Sequence, residues 1–408
     1  MFEVENWKSD SGLWANPEKN PNNNLKEYVK MKRVAILTNG GDAPGLNAVI
    51  RAIVKTCEYN GIECYGFIEG YKGLLENNYV KLESTGNVSG ILNRGGTIIG
   101  ASNSTNVFNY KTVNENGETE YHDYSDKCIQ HLNDLGIDCL FTLGGDGTQK
   151  SSRDFTTKGV KCIGIPKTID NDVATTDITF GYNTAVSVAT EALDRLHSTA
   201  EAHHRIMVLE VMGRYAGWIA LESAIAGGAD CALIPEIPYD IDKIVDKINQ
   251  RKARGKNFSV IVISEGAIEK DGTLTVKREL DGGKGLDNTR LGGAGEKLAM
   301  ALEERTGLAS RATVLGYVQR GGSPTAYDRV LSTKYGVKAV ELALEGIFNV
   351  MVTYKDGVMG YASLEDVIGN NKEVGARSGG TSETNTKKVQ MDDPLIDVAR
   401  RIGICLGD

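Results

Sequence analysis

RVAILTNGGDAPGLNAVIRAIVKTC, residues 33–57, changes its apolar period once, and that change decides the fold class. Val34 to Leu37 form a continuous apolar run of the kind a strand buried on both faces requires. The turn Asn39 to Gly45 carries three glycines, and Leu46, Val49, Ile50 and Ile53 then recur at helical spacing. A buried strand, a glycine turn and an amphipathic helix make one β-turn-α unit of a parallel sheet.

The same order recurs along the chain in DCLFTLGGDGTQKSSRDF (138–155), KCIGIPKTIDNDV (161–173), IMVLEVMGRYAGWIALESAIAGG (206–228), FSVIVISEGA (258–267) and ATVLGYVQRGGSP (312–324). Six strand-then-turn units, most leading into helices, predict α/β architecture with mostly parallel sheets covered by helices on both faces. Sites in such folds sit at the carboxyl ends of strands, where these turns fall. Glycine accounts for 48 of 408 residues, about 12% against an average near 7%, and the excess is concentrated in these turns. At about 100 to 200 residues per domain, the length predicts two or three domains.

Composition narrows the function classes. With 40% hydrophobic and 25% charged residues and a net charge of −8, the chain is an ordinary globular protein rather than a disordered or fibrous one. Its acidity and the lack of a Lys/Arg block argue against nucleic acid as a partner, and no apolar run approaches the ~18 residues of a membrane helix. MFEVENWKSDSGLW lacks a basic n-region and an apolar core, so no secretory signal is expected and the cytoplasm is the expected compartment. Seven widely spaced cysteines, none in a CxxC pair, read as reduced thiols.

The turns carry the chemistry. Gly40, Gly41 and Asp42 open a helix whose amides suit an anion, although a glycine turn alone reads equally well as structural. Gly144, Gly145, Asp146, Gly147 and Thr148 place one acid among positions without bulk, fitting a magnesium ion beside phosphate oxygens; a plain helix cap is the alternative. In Pro166 to Asp172, a cation (Lys167), a hydroxyl (Thr168) and two carboxylates (Asp170, Asp172) share one strand end. Extended-chain alternation puts both carboxylates on one side, where one raises the other's pKa and favours a base. Phosphoryl transfer needs these parts: in-line geometry, charge neutralisation and a carboxylate to take a hydroxyl proton. Arg205, Arg214, Arg311 and Arg320 adjoin strand-like runs and suit a sugar phosphate, with Glu265 and the Met212-Gly213 turn nearby. His203 and His204 lack metal spacing and read as structural, and Trp218 and Tyr215 as core.

Together these motifs resemble the 6-phosphofructokinase family, which has ATP-dependent and pyrophosphate-dependent members. GGDAPG, GGDGT, PKTIDND, HHRI with MGRYAGW, SEG and LGYVQRGGSP follow the family order from about Arg33 to Glu345. The resemblance implies two Rossmann-like three-layer domains with the active site in the cleft between them, and a homotetramer. Applied here, it implies an N-terminal extension at 1–30, a donor-binding domain of 31–181 plus 319–370, a fructose 6-phosphate-binding domain of 182–318 plus 388–408, and an exposed linker at 371–387.

By motif, Asp170 resembles the general base for the sugar 1-hydroxyl, Asp146 the magnesium ligand, and Gly40 with Gly145, Asp146, Gly147 and Thr148 the contacts to ATP. Thr168, Ile169, Asp170, Met212, Gly213, Arg214, Glu265, Arg311, Tyr317 and Arg320 resemble fructose 6-phosphate contacts, with Arg214 also stabilising the transferring group. Lys167 and Asp172 are grouped with these catalytic positions. Arg205 resembles an arginine donated across a subunit interface. Arg51 and Lys55 resemble effector-site positions, although solvated surface charges fit as well.

Three departures bear on the donor. Asn103 stands where many bacterial ATP enzymes have an arginine; Lys167 replaces their glycine and Tyr317 their histidine, and both replacements lean toward pyrophosphate. Gly147 leans the other way, because pyrophosphate users generally carry an aspartate there that would repel the ATP α-phosphate. The expectation is therefore phosphoryl transfer from ATP with Mg2+, pyrophosphate being the alternative donor. A regulatory subunit without catalysis is the alternative of another class, and GGDGT by itself also fits other phosphotransferases.

Overall fold

The computed structural model describes residues 28–103, 105–279, 289–369 and 386–408. Most of the 1–30 extension and of the 371–387 linker lie outside the described residues. Among these residues the chain runs β1 (Arg33–Thr38), α1 (Leu46–Tyr59), β2 (Glu63–Phe67), α2 (Tyr71–Glu76) and β3 (Tyr79–Leu82), then a hairpin of β4 (Tyr110–Val113) and β5 (Thr119–His122). It continues through α3 (Ser125–Asp134), β6 (Cys139–Gly144), α4 (Asp146–Thr157), β7 (Cys162–Pro166), the long α5 (Tyr182–His203), β8 (Ile206–Val211), α6 (Trp218–Ala226), β9 (Cys231–Leu233), α7 (Ile241–Ala253) and β10 (Ser259–Ser264). A second hairpin of β11 (Val276–Glu279) and β12 (Thr289–Leu291) leads to α8 (Ala294–Thr306), β13 (Ser310–Val314), α9 (Ala326–Leu344), β14 (Val350–Lys355), β15 (Val358–Ser363), α10 (Leu364–Ile368) and α11 (Pro394–Arg401).

Two sheets organise these elements. The first has seven strands in the order β15-β14-β7-β6-β1-β2-β3, parallel except at the two edges, where β15 and β3 run antiparallel to their neighbours. The second has four parallel strands in the order β13-β8-β10-β9. The architecture is α/β with two Rossmann-like units, as the strand-turn-helix pattern predicts. β1, β6, β7, β8 and β10 are buried almost throughout, which is why each reads as an unbroken apolar run.

The helices fix how closely the layers approach. α1 packs on α9, and two glycines permit it: a Cβ on Gly45 (φ 109°) would run into Ser332 Oγ, and one on Gly336 would lie 2.7 Å from Ala52 Cβ. The two sheets are tied by a buried carboxylate. Asp328 on α9 accepts from Gly181 N (3.0 Å) and Thr184 N (2.8 Å), capping α5, which packs on the second sheet. α11 returns to α6, and Cys405 pairs with Cys231 of β9.

Candidate active site

In the first sheet β1 has β6 on one side and β2 on the other, so the strand order reverses between β1 and β6. A crevice opens at such a reversal. Both GGD turns lie there, Asn39–Gly45 after β1 and Gly144–Thr148 after β6. Gly40 (φ 78°) would place a Cβ 3.3 Å from Lys167 Nζ, and Gly41 would place one 2.8 Å from Arg320 Nη1. These glycines admit two cations that cross the turn. Gly147 differs: a Cβ there would meet nothing within 4 Å. Packing within the fold therefore does not require a glycine at 147. Asp146 opens α4, Thr148 is buried beneath Gly144, and Asn103 is exposed on the loop whose Ser102 carbonyl accepts from Gly40 N (3.0 Å).

β7 ends at Pro166, and the chain then bends rather than continuing extended. Asn171 is left-handed (φ 53°), its side chain donating to Asp177 O (3.3 Å) and accepting from Thr179 N (3.0 Å), while Thr168 Oγ1 accepts from Asp170 N (3.0 Å). The strand alternation expected to align Asp170 with Asp172 is therefore replaced by a side-chain-locked turn. The electrostatic result is still the expected one. Burial, and then Asp170, push the Asp172 carboxyl up to about 6. Burial also raises the Asp170 carboxyl, against the pull of Arg320, Arg214 and Lys167. Asp170 Oδ1 is buried and has no hydrogen-bond partner among the described residues. An acceptor atom left bare in this way suits a substrate proton. Lys167 is buried, donates to Gly41 O, and is drawn down to about 7 by burial and by Arg320.

The second sheet supplies the facing wall from the ends of β8, β10 and β13. Met212 N donates to Gln319 Oε1 (2.8 Å), and Gly213 (φ 134°) carries its carbonyl to Ser264 Oγ (2.6 Å) and Gly266 N (3.2 Å). This lattice sets Arg214, whose guanidinium lies 5.9 Å from the Tyr215 ring centre, beside Glu265. Burial, and then Asp170, raise the Glu265 carboxyl to about 7, with Arg214 opposing. Arg320 reaches back across the cleft, donating to Asp42 O (3.2 Å). Tyr317 is 73% exposed at the rim. The structure thus gathers Lys167, Asp170, Asp172, Arg214, Glu265 and Arg320 into one mutually interacting cluster between the sheets.

Arg205 and Arg311 are not in it. All four arginines adjoin strands, as their apolar neighbours suggest, but Arg205 precedes β8 and Arg311 is the second residue of β13, in register with Met207. Both lie at the amino end of the sheet, roughly 20 Å from Arg214 by the length of a six-residue strand. Arg311 pairs with Glu303 (3.0 Å) on α8. A run of apolar residues next to an arginine reveals a strand boundary but not which boundary.

Sequence reasoning missed three supports. Gln319 is fully buried and holds Met212; Asp42 offers a carbonyl to Arg320 and its charge to Lys167; Asn39 leaves a buried Oδ1 without a partner. Only Asn39 and Asp42 gave a signal, as polar residues flanking the first glycine pair. Among the described residues no group of three or more His, Cys, Asp or Glu is placed to hold a metal, and no helix is long and apolar enough to cross a membrane.

A family model described as "Phosphofructokinase" matches residues 33–343. The chain is 52% identical over 383 residues to ATP-dependent 6-phosphofructokinase 2 of Clostridium perfringens, covering 93% of this chain and 99% of that one. Among solved structures, Pichia pastoris phosphofructokinase in the T-state aligns with a TM-score of 0.69 at 30% identity, over 83% of this chain and 36% of that one. A pyrophosphate-dependent phosphofructokinase from Marinobacter aquaeolei aligns with a TM-score of 0.71 at 23% identity, over 92% and 88% of the two chains. At that identity the last likeness speaks to fold alone.

Proposed function

The chain belongs to the phosphofructokinase family, and from that premise we infer that it transfers the γ-phosphoryl group of ATP to the 1-hydroxyl of fructose 6-phosphate, giving fructose 1,6-bisphosphate and ADP. ATP dependence accords with the name of the Clostridium relative and with the open space at Gly147. A carboxylate at that position would face and repel the triphosphate. Lys167 is compatible with either donor, since a lysine neutralises any phosphate it reaches.

Asp170 is the base in this reading, and its bare, buried Oδ1 is the observation that carries the proposal. The proton of the sugar hydroxyl goes to that carboxylate as the oxygen attacks the γ-phosphorus and the ADP oxygen leaves in line. Arg214 and Lys167 neutralise charge on the transferring group. Thr168, Met212, Gly213, Glu265, Tyr317 and Arg320 hold the sugar. Gly40, Gly145, Asp146, Gly147 and Thr148 hold the nucleotide at the β1/β6 crevice, with Asn103 at its edge. Mg2+ would be held by Asp146, the carboxylate at the start of α4, since magnesium commonly binds through one or two acids plus substrate phosphates. When bound, the ion would neutralise charge on the donor phosphates.

Arg205 and Arg311 support self-association. Both lie at the sheet end remote from Asp170, so a sugar 6-phosphate held by either is held in another subunit's cleft, as in a homotetramer. Seven free thiols accord with a reducing cytoplasm. The test is fructose 1,6-bisphosphate formation with magnesium and either ATP or pyrophosphate. Turnover with ATP is expected; turnover with pyrophosphate alone would overturn the donor assignment, and sugar-phosphate binding without turnover would overturn the reaction.

A further inference from the structure

Residues 386–390 bridge the two sheets at a point that no catalytic motif includes. Lys387 N donates to Asp172 O (2.8 Å), and Lys387 Nζ donates to Thr176 O (3.2 Å) and to Asp177 O. One residue thereby holds three carbonyls of the segment that carries Asp170 and Asp172. On its other side, the Lys387 carbonyl accepts from Trp218 Nε1 (2.9 Å), and its ammonium lies 5.3 Å from the Trp218 ring centre. Val389 N donates to Glu236 Oε1 (2.9 Å), and the same carboxylate accepts from Gly217 N (3.0 Å), the residue that caps α6. α6 follows directly on the turn Met212 to Tyr215, which presents Arg214.

The surroundings keep the ammonium charged near neutrality. Burial draws Lys387 down to about 8, while Asp177, Glu222, Asp393 and Asp172 all favour its proton. Glu222 comes from α6, Asp393 caps α11, and Asp172 and Asp177 belong to the base segment, so the cation sits where these elements meet.

We propose that Lys387 is a positioning residue for phosphoryl transfer, clamping the Asp170–Asp172 turn of the first sheet to the Met212–Arg214 turn of the second. Base and acceptor-holding groups then meet the donor as one rigid piece. A displacement of about 1 Å at reacting atoms costs roughly 10²-fold in rate, so such a clamp acts on turnover rather than on nucleotide affinity. The inference rests on Asp170 serving as the base.

The test uses the full chain with Lys387→Met, Lys387→Arg and Trp218→Phe, each checked for a cooperative thermal melt. Lys387→Met keeps the backbone contact to Asp172 and loses the ammonium. Its kcat is expected to fall about 10- to 100-fold with KM for ATP within about twofold, and Lys387→Arg to recover most of the loss. Trp218→Phe removes the indole donor together with part of a buried ring and its contact to the ammonium, and is expected to cost about 3- to 10-fold in kcat. In a Trp7→Phe/Trp14→Phe background, Trp218 emission is expected to change on adding fructose 6-phosphate, and Lys387→Met to abolish that change. Unaltered kcat in Lys387→Met overturns the proposal. So does a loss that Lys387→Arg does not restore and that tracks a lowered Tm. Failure of the underlying reading is distinguishable, because it appears as full activity in Asp170→Asn whatever Lys387 does.

Discussion

The two ends of the four-stranded sheet carry the same residue type to opposite effect. At the carboxyl end, Arg214 and Arg320 sit among Asp170, Glu265 and Lys167, and their charges hold down carboxyls that burial pushes up. At the amino end, Arg311 is exposed and paired with the surface acid Glu303, and Arg205 lies just outside the strand. One end is a self-sufficient charge cluster within a single chain. The other is half of something. An exposed arginine pair contributes little to stability, and the proposed use of these positions is a ligand held in a second chain's cleft.

The comparison breaks first at the cluster. Asp170→Asn keeps size and hydrogen-bonding shape but cannot take a proton, so kcat is expected to fall about 10²- to 10⁴-fold with KM values little changed. Steady-state rates at saturating ATP and fructose 6-phosphate check it; a loss below tenfold would remove Asp170 from the base role. Gly147→Asp probes the other wall of the same cleft. Open space around position 147 lets the variant fold, and a like charge facing the triphosphate costs several kcal/mol, so KM for ATP is expected to rise about 100-fold. Unchanged ATP kinetics would defeat the argument that this glycine admits the nucleotide.

How far the sequence could be read follows from what each feature depends on. Buried parallel strands announce themselves because both faces are apolar, and the units beginning at β1, β6, β7, β8 and β10 are readable for that reason; β13, a largely exposed edge strand, is readable from the glycine turn that follows it. The edge strands β3, with three of its four residues at least partly exposed, and β15, with none fully buried, have neither mark and are not readable. Site residues inside a motif were readable because local spacing brings them together. The geometry of 168–172 was not, since Asn171 leaves the extended region and is held there by Asp177 and Thr179 further along the chain. Gln319 and Lys387 act only through long-range contacts, to Met212 and to Asp172, and no pattern within their own segments marks them.

The amino end provides the next test. If Arg205 serves a neighbour's cleft, Arg205→Ala is expected to raise KM for fructose 6-phosphate about 10- to 100-fold with a small change in kcat, the size of a lost charge-assisted hydrogen bond. Arg311→Ala is expected to behave alike. Mixing Arg205→Ala chains with Asp170→Asn chains would then regenerate intact sites, each with its base from one chain and its arginine from the other. Recovery of activity on mixing, followed alongside subunit exchange, is the readout. No recovery between exchanging subunits would leave the two arginines as surface charges and make the two ends of the sheet unrelated.

The smallest effect separates the ends by titration. Arginine keeps its charge throughout the working pH range, so contacts at the amino end should not change with pH. Lys167 is different: burial and Arg320 bring it down to about 7, so it is charged below that pH and increasingly neutral above it in the free protein. A neutral lysine offers the donor phosphates a hydrogen bond without a charge. Therefore kcat/KM for ATP is expected to decline by a few-fold, at most about tenfold per unit, as pH rises through 7. An acid limb near 6 is expected from Asp172, whose carboxyl protonates there and withdraws charge from the base segment. Lys167→Met should lower kcat/KM for ATP at pH 6 and flatten the alkaline limb while leaving the acid limb in place. An alkaline limb that survives Lys167→Met would assign it to another group, and the donor wall of the cleft would then be as indifferent to pH as the arginines at the far end.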